Sequence, residues 1–294
     1  MTGGLREMPC LFCGVMDERL CFRDEPFRVV QCRRCGLTYV NPRLPTERLH
    51  QMYQEEYWAS DRAMEFGYSA YLAEEPLYRR TYRRRMAVIR RYKPQPGALL
   101  DVGCAAGFFL SVAAEEGWRP TGVELSAPMV EYAATKLHLH DVRRGDLLSL
   151  ELPGHAFDVI TLWDVLEHLE DPPAHLRAAR QLLAPDGILV IETQNVASSF
   201  ARLLGRRWQH YKHAEHLYHF DPRTLERLLT EAGFAIVENT PHLGGKYVSM
   251  DFLVERVGRI HPWLSTLASP LRLVGSRALY VNLRDEMVVV ARAR

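Results

Sequence analysis

Two cysteine pairs open this chain of 294 residues: Cys10-x2-Cys13 and, after a gap of 18 residues, Cys32-x2-Cys35. Four-thiolate zinc sites use that spacing. Four thiolates close a tetrahedron and leave no position for water, so the expected Zn2+ is structural rather than catalytic. Gly14 and Gly36 follow the two pairs and free the backbone to wrap the sulfurs. About forty residues bury too little to hold themselves together, and a bound metal supplies the missing folding energy. Cys21, the odd one of the group, is expected to pack, and Cys104 stands alone. The opening MTGGLREMPC carries no basic-then-apolar leader. Crowded cysteines then read as metal ligands in a reducing compartment, the cytoplasm.

A second group of residues has the spacing of a nucleoside site. In DVGCAAG (101–107), Gly103 lets the chain turn and lets backbone N–H groups approach a ligand. Glu124, 23 positions after Asp101, can accept both hydroxyls of a ribose, and Asp146 in GDL can reach an adenine edge. The turn Gly103-Cys104-Ala105-Ala106-Gly107 lacks the GxGxxG of dinucleotide sites. Asp101 would repel a pyrophosphate, and suits a ligand carrying an ammonium and a sulfonium.

These groups need a scaffold that brings strand ends together, and the chain alternates strand and helix patterns after the break KPQPG (93–97). Strands are expected at 98–103, 120–125, 141–146, 157–163, 187–193, 234–239 and 285–293, with helices over 107–117, 127–137, 172–184 and 221–234 between them. Ser126, Asp171 and Asp221 are the expected helix caps. That is an α/β chain with a parallel sheet covered by helices. Three regions follow: a zinc ribbon over 1–44, a helical lid or linker rich in tyrosine and arginine over 45–96, and the sheet domain over 97–294. A helical insertion at 240–284 interrupts the last region and is longer than an ordinary loop.

At these motifs the chain resembles the class I S-adenosylmethionine-dependent methyltransferases, over about 97–240 plus the last strand. The acidic-x-Gly-x-Gly-x-Gly motif lies at DVGCAAG, with Ala105 where the middle glycine often stands, and the motif after the fourth strand lies at LWDVLEHLEDP (162–172). The resemblance implies a Rossmann-like, seven-stranded, mostly parallel sheet whose last strand is antiparallel. It implies S-adenosyl-L-methionine held by Asp101, Gly103, Cys104, Ala105, Gly107, Glu124, Leu125, Asp146 and Leu147. Trp163 and Asp164 would face the methionine end. Zinc-ribbon heads precede some such enzymes that act on small molecules and sugars, and others that act on ribosomal RNA, so the ribbon does not choose the acceptor.

Methyl transfer from a sulfonium often requires removal of a proton from the acceptor, for which histidine is suited. His168 lies just beyond the fourth strand. His210, His213, His216 and His219 lie in WQHYKHAEHLYHF (208–220). The resemblance puts His216, Leu217, Tyr218 and Phe220 at the acceptor pocket, making His216 and His168 the candidate bases; the other three histidines are expected to be solvated or to pack. A catechol-type divalent metal would want carboxylates after strands four and five, but Gln194 and Asn195 stand where the second is needed.

Hydrophobic residues make up 47% and charged residues 25%, with 37 Lys+Arg against 36 Asp+Glu. That balance excludes wholesale disorder and leaves nucleic acid only a local patch to bind. RRTYRRRMAVIRRYK (79–93) is one such patch, read either as a solvated helix face paired with acids or as a phosphate contact. Ile260 to Leu283 is broken by Arg272 and Arg277, so no transmembrane span is expected. The insertion is open to three uses: capping the acceptor site, forming a homodimer, or lying on a membrane surface. The expectation is a methyltransferase acting on a hydroxyl of a small-molecule partner such as a sugar, polyketide or quinone-like acceptor. The alternatives are an RNA methyltransferase using the ribbon and the arginine run, and a non-catalytic module whose ribbon docks a partner protein.

Overall fold

The computed structural model describes residues 4–52, 71–250, 254, 263 and 278–294. Strands β1 (Glu18–Asp24), β2 (Phe27–Cys32) and β3 (Thr38–Val40) form an antiparallel head. After it come α1 (Thr46–Met52), a 3-10 turn (Tyr71–Glu74) and α2 (Glu75–Tyr92). The remainder alternates: β4 (Ala98–Val102), α3 (Phe108–Glu115), β5 (Arg119–Glu124), α4 (Ala127–Lys136), β6 (Val142–Arg144), β7 (Phe157–Trp163), α5 (Pro172–Leu182) and β8 (Leu183–Gln194). Then follow α6 (Ser199–Leu204), β9 (Tyr218–His219), α7 (Pro222–Glu231), β10 (Phe234–Asn239), β11 (Lys246–Val248), β12 (Leu279–Val281) and β13 (Glu286–Ala293).

Seven strands make one sheet in the order β10-β13-β8-β7-β4-β5-β6, with β13 antiparallel to both its neighbours and β4 to β8 parallel. Central strands such as LLDV and VITLW are buried on both faces, as a parallel sheet demands. Leu100, Val102, Ile160, Leu162 and Ile191 pack on one side with Leu176 of α5 and Leu228 of α7. Leu99, Val159, Ile188 and Val190 pack on the other with Met86 and Ile89 of α2 and Phe109 of α3. Asp171 caps α5 through Ala174 N–H at 2.9 Å, and Asp221 with Thr224 forms a capping box on α7. The chain switches direction at β4, between β5 and β7, so a crevice opens at the carboxyl ends of these strands.

Several expectations change. Helix 172–184 ends at Leu182 and the strand starts at Leu183, because Pro185 disfavours helical backbone at the residue before it. The insertion is not helical at its ends: β11 and β12 pair antiparallel, and Arg80 and Arg84 of α2 stack on Tyr247 and Tyr280 at 4.1 and 4.3 Å. Aromatic and β-branched residues at both ends favour the pairing. Between residues 250 and 278 only Val254 and Trp263 are described, both helical, so the rest of that stretch and the three uses of the insertion lie outside the described residues. Residues 53–70 of the lid lie outside them too. Cys21 is exposed rather than packed, at a bulge between Leu20 and Phe22 that breaks the register of β1. The sheet of the head also runs past residue 44, since β3 pairs with β9.

Candidate active site

The turn between β4 and α3 builds the floor of the crevice. Gly103 has φ +70°, and a Cβ there would come within 2.6 Å of Val165 Cγ2. Its N–H and that of Cys104 donate to Val123 O at 2.8 and 3.1 Å, which ties the turn to β5. Ala105 is also left-handed, at φ +47°, and its N–H donates to Glu124 Oε2 at 2.8 Å. Ser126 N–H donates to Glu124 Oε1 at 2.8 Å. Glu124 is thus held at the end of β5 by two backbone groups, with lone pairs left for a ligand. Burial raises its pKa, against those same N–H groups, which lower it. The hydroxyl of Ser126 caps nothing and is buried without a partner.

Asp101 is buried beneath the turn, and burial lifts its pKa to about 8 although Thr161 donates to its Oδ1 at 2.6 Å. A buried acid in that condition favours a cationic ligand. Asp146 receives Leu148 N–H at 2.8 Å and faces His175 Nε2 at 3.0 Å. The cleft is lined by Asp101, Gly103, Cys104, Ala105, Glu124, Leu125, Asp146, Leu147, Trp163, Asp164 and His168. Every sequence-derived cofactor residue therefore meets in one cleft except Gly107, which stands behind the turn as the left-handed N-cap of α3. Tyr71, Tyr78, Tyr82 and Leu49, from the segment expected to be a lid, also line it, as does His175, which had no signal in the sequence.

At the far end of the cleft, Asp164 adopts φ +56°, a strained backbone for a non-glycine residue. Its Oδ2 accepts from Lys246 Nζ at 2.8 Å, and the same ammonium lies 3.0 Å from Glu286. Burial opposes the charge of Asp164, but Lys246 and Arg85 win and hold its pKa at about 2. Beneath it, Arg85 of α2 pairs with Glu192 of β8, both almost fully buried, and the guanidinium lies 5.2 Å from the ring of Trp163.

The two candidate bases are stacked in depth. His168 lines the cleft, whereas His216 lies behind it, ring on edge at 4.5 Å, and is not on the wall. A ring nitrogen of His168 meets the carbonyl of Glu215, and burial together with Lys212 pushes its pKa down to about 3. Burial, and after it the neighbouring His168, holds His216 well below the ordinary imidazole value. His219 and His213 are buried packing residues, His213 against Asp24 at 3.1 Å, and His210 faces Asp285 and Glu286. Glu167, His168 and His216 have ligand atoms within 4.8 Å of one another. Gln194 turns to Tyr218 O and the ring of His219.

In the head, the sulfurs of Cys10, Cys13, Cys32 and Cys35 lie within 4.8 Å of one another and none is in a disulfide. Gly14 and Gly36 N–H donate back to Cys10 O and Cys32 O at 2.8 and 3.0 Å, giving two matching knuckles. This donor set fits a tetrahedral zinc ion. Six of the eight basic groups of the run pair with acids, and Arg80 and Arg84 stack on tyrosine rings. Arg79 and Arg83 pair with Glu115, Arg90 with Glu116, Arg91 with Glu238 and Lys93 with Asp186, while Arg80, Arg84 and Arg85 have the partners given above.

Residues 73–239, more than half of the chain, match a family described as a methyltransferase domain. The chain is 35% identical over 137 residues to the ubiquinone biosynthesis O-methyltransferase of Xanthomonas campestris pv. campestris (strain B100), a match covering 40% of this chain and 56% of that protein. It is 30% identical over 129 residues to the malonyl-[acyl-carrier protein] O-methyltransferase of Serratia marcescens, covering 44% and 50%. The chain thus spans about half the length of the curated relatives it matches. A solved magnesium protoporphyrin IX methyltransferase from Synechocystis PCC 6803 with bound SAH superimposes with a TM-score of 0.54 at 16% identity, over 85% of this chain and 100% of that one. A likeness at that identity is one of fold. With the strand order, the cleft and the matched span in agreement, the chain belongs to the methyltransferase-domain family.

Proposed function

We propose that this protein is an S-adenosylmethionine-dependent methyltransferase that modifies a hydroxyl of a small molecule. The observation that carries the reading is Glu124, pinned by Ala105 and Ser126 N–H in a cleft that also holds the buried Asp101 and the half-buried Asp164. A diol, an adenine edge and a positive centre are what those groups can bind together. When bound, S-adenosylmethionine supplies a methyl group on a positively charged sulfur. Glu124 accepts the ribose hydroxyls, Asp146 faces the base, and Asp101 and Asp164 oppose the positive charge. Tyr71, Tyr78, Tyr82 and Trp163 exclude water from the reacting end. His168, not His216, is the imidazole within reach of an acceptor in the cleft. Because its neutral form is so weakly basic, it suits an acidic phenol- or quinol-like hydroxyl better than a sugar hydroxyl. Two relatives named as O-methyltransferases support an oxygen acceptor.

Calorimetric titration with S-adenosylhomocysteine tests the cofactor. The folded protein should bind it, and Glu124→Ala should weaken binding by about 2 kcal/mol, roughly 30-fold; no binding by the folded wild type refutes the reading. Binding with no turnover on quinol-like acceptors, together with a stable protein complex, would favour the non-catalytic module instead. The four cysteines are proposed to hold one structural Zn2+ in a reducing compartment such as the cytoplasm. Metal analysis should return one zinc per chain, lost in Cys32→Ser/Cys35→Ser.

A second reading of the proton step is favoured by the Glu167, His168 and His216 cluster, which could hold a divalent cation against the acceptor oxygen. Turnover insensitive to a strong chelator, with the zinc of the head retained, eliminates it.

A further inference from the structure

The head is joined to the site through backbone and side chains alike. Thr38 and Tyr39 of β3 pair with His219 and Tyr218 of β9, and Val40 N–H donates to Leu217 O at 3.0 Å. A two-residue strand cannot stand unpaired, so β9 depends on the edge that the head offers. Arg43, 5% exposed, donates from Nη1 to the Tyr218 hydroxyl at 3.0 Å and lies 5.6 Å from the centre of that ring. The hydroxyl in turn donates to Glu170 O at 3.1 Å. Glu170 lines the cleft, and its carboxylate accepts from Thr46 at 2.8 Å, one turn before Leu49, another lining residue. Farther along the same segment, His213 meets Asp24 of β1, and Tyr211 packs on edge against Phe22 at 4.8 Å. His216 sits in the middle of this segment, against His168.

The cofactor cradle is tied differently. Its hydrogen bonds run between the turn after β4 and the end of β5, from Gly103 and Cys104 to Val123 and from Ala105 and Ser126 to Glu124. The head is too small to fold on apolar burial alone, so its order depends on what its cysteines hold.

We propose that the cysteine-rich head braces the acceptor side of the cleft, with Arg43 as the positioning residue that fixes Tyr218, the His216 segment and Glu170. The inference rests on the methyltransferase reading for the word acceptor and on the metal reading of the four cysteines for the order of the head. It makes the head a wall of the reaction site rather than a docking module. Ordering of 211–220 then follows the head, while cofactor affinity does not.

Hydrogen–deuterium exchange on the full-length chain tests this, alongside calorimetry with S-adenosylhomocysteine. In Arg43→Met, which keeps bulk but loses the donor and the stacked charge, amides of 211–220 should exchange about ten-fold faster. Peptides from 97–125 should be unchanged and S-adenosylhomocysteine affinity should stay within about three-fold of wild type. Arg43→Lys, which can still donate to the Tyr218 hydroxyl, should restore much of the protection. Stripping the metal with a chelator should open 8–40 and 211–220 together. Unchanged protection of 211–220 in Arg43→Met overturns the brace, as does a stripped head that opens alone. Failure of the wild type to bind S-adenosylhomocysteine counts against the methyltransferase reading and leaves the exchange result to judge the brace by itself.

Discussion

Asp146 and His175 show how much can turn on a single contact. The Nδ1 of His175 faces the carbonyl of Asp171 at 2.9 Å and its Nε2 faces the Asp146 carboxylate at 3.0 Å. Both partners accept, so the protonated ring, with a proton on each nitrogen, is the form that satisfies both contacts. Burial pulls its pKa down, but Asp146 and Asp171 more than reverse this, and the value in the folded state is raised. A raised value means that the stabilisation is complete below the unfolded pKa of about 6.5 and is lost as pH climbs through the folded one. His175→Gln should therefore cost about 1–2 kcal/mol at low pH and progressively less at alkaline pH. Urea unfolding at pH 6 and pH 9 reads this directly, and a penalty independent of pH would show that the ring is neutral. No periodicity pointed to His175, because its partner lies 29 residues away on another element.

Between elements, the buried pair of Arg85 on α2 and Glu192 on β8 joins the arginine helix to the centre of the sheet. Removing one member strands a charge in an apolar setting, which costs more than the pair contributes. Arg85→Met is expected to destabilise the protein by about 3–5 kcal/mol, and Arg85→Met/Glu192→Leu to recover most of the loss. Equilibrium urea unfolding of both variants distinguishes this from a simple loss of helix packing, for which the second substitution would add to the damage. Arg85 was one of eight basic residues in a run that looked uniform as sequence. The run reads as one solvated, acid-paired helix face, and that Arg85 instead faces the core is decided by the fold.

For the whole molecule, the near-neutral charge of +1 agrees with the local pairing of the run from Arg79 to Lys93. Binding to RNA gains its energy from releasing counterions, and basic groups already matched by acids release few. Filter binding should accordingly show no salt-dependent RNA affinity between low and moderate salt. A steep loss of affinity with salt would revive the RNA acceptor. No helix among the described residues is long and apolar enough to cross a membrane.

Patterns that act over a few residues were readable from the chain alone: the strand–turn–helix around Gly103, the carboxylates at strand ends, the knuckle spacing of four cysteines and the Asp-Pro helix starts. Each is fixed by local backbone geometry and short-range hydrogen bonds, which sequence spacing encodes directly. The folded chain alone decided that His168 rather than His216 meets the cleft, that Lys246 neutralises Asp164, and that β3 borrows its partner from β9. Those facts join residues 48 to 181 positions apart, such as His168 to His216 and Thr38 to His219. Burial and pairing at such range depend on how whole layers pack, and no local pattern carries that information.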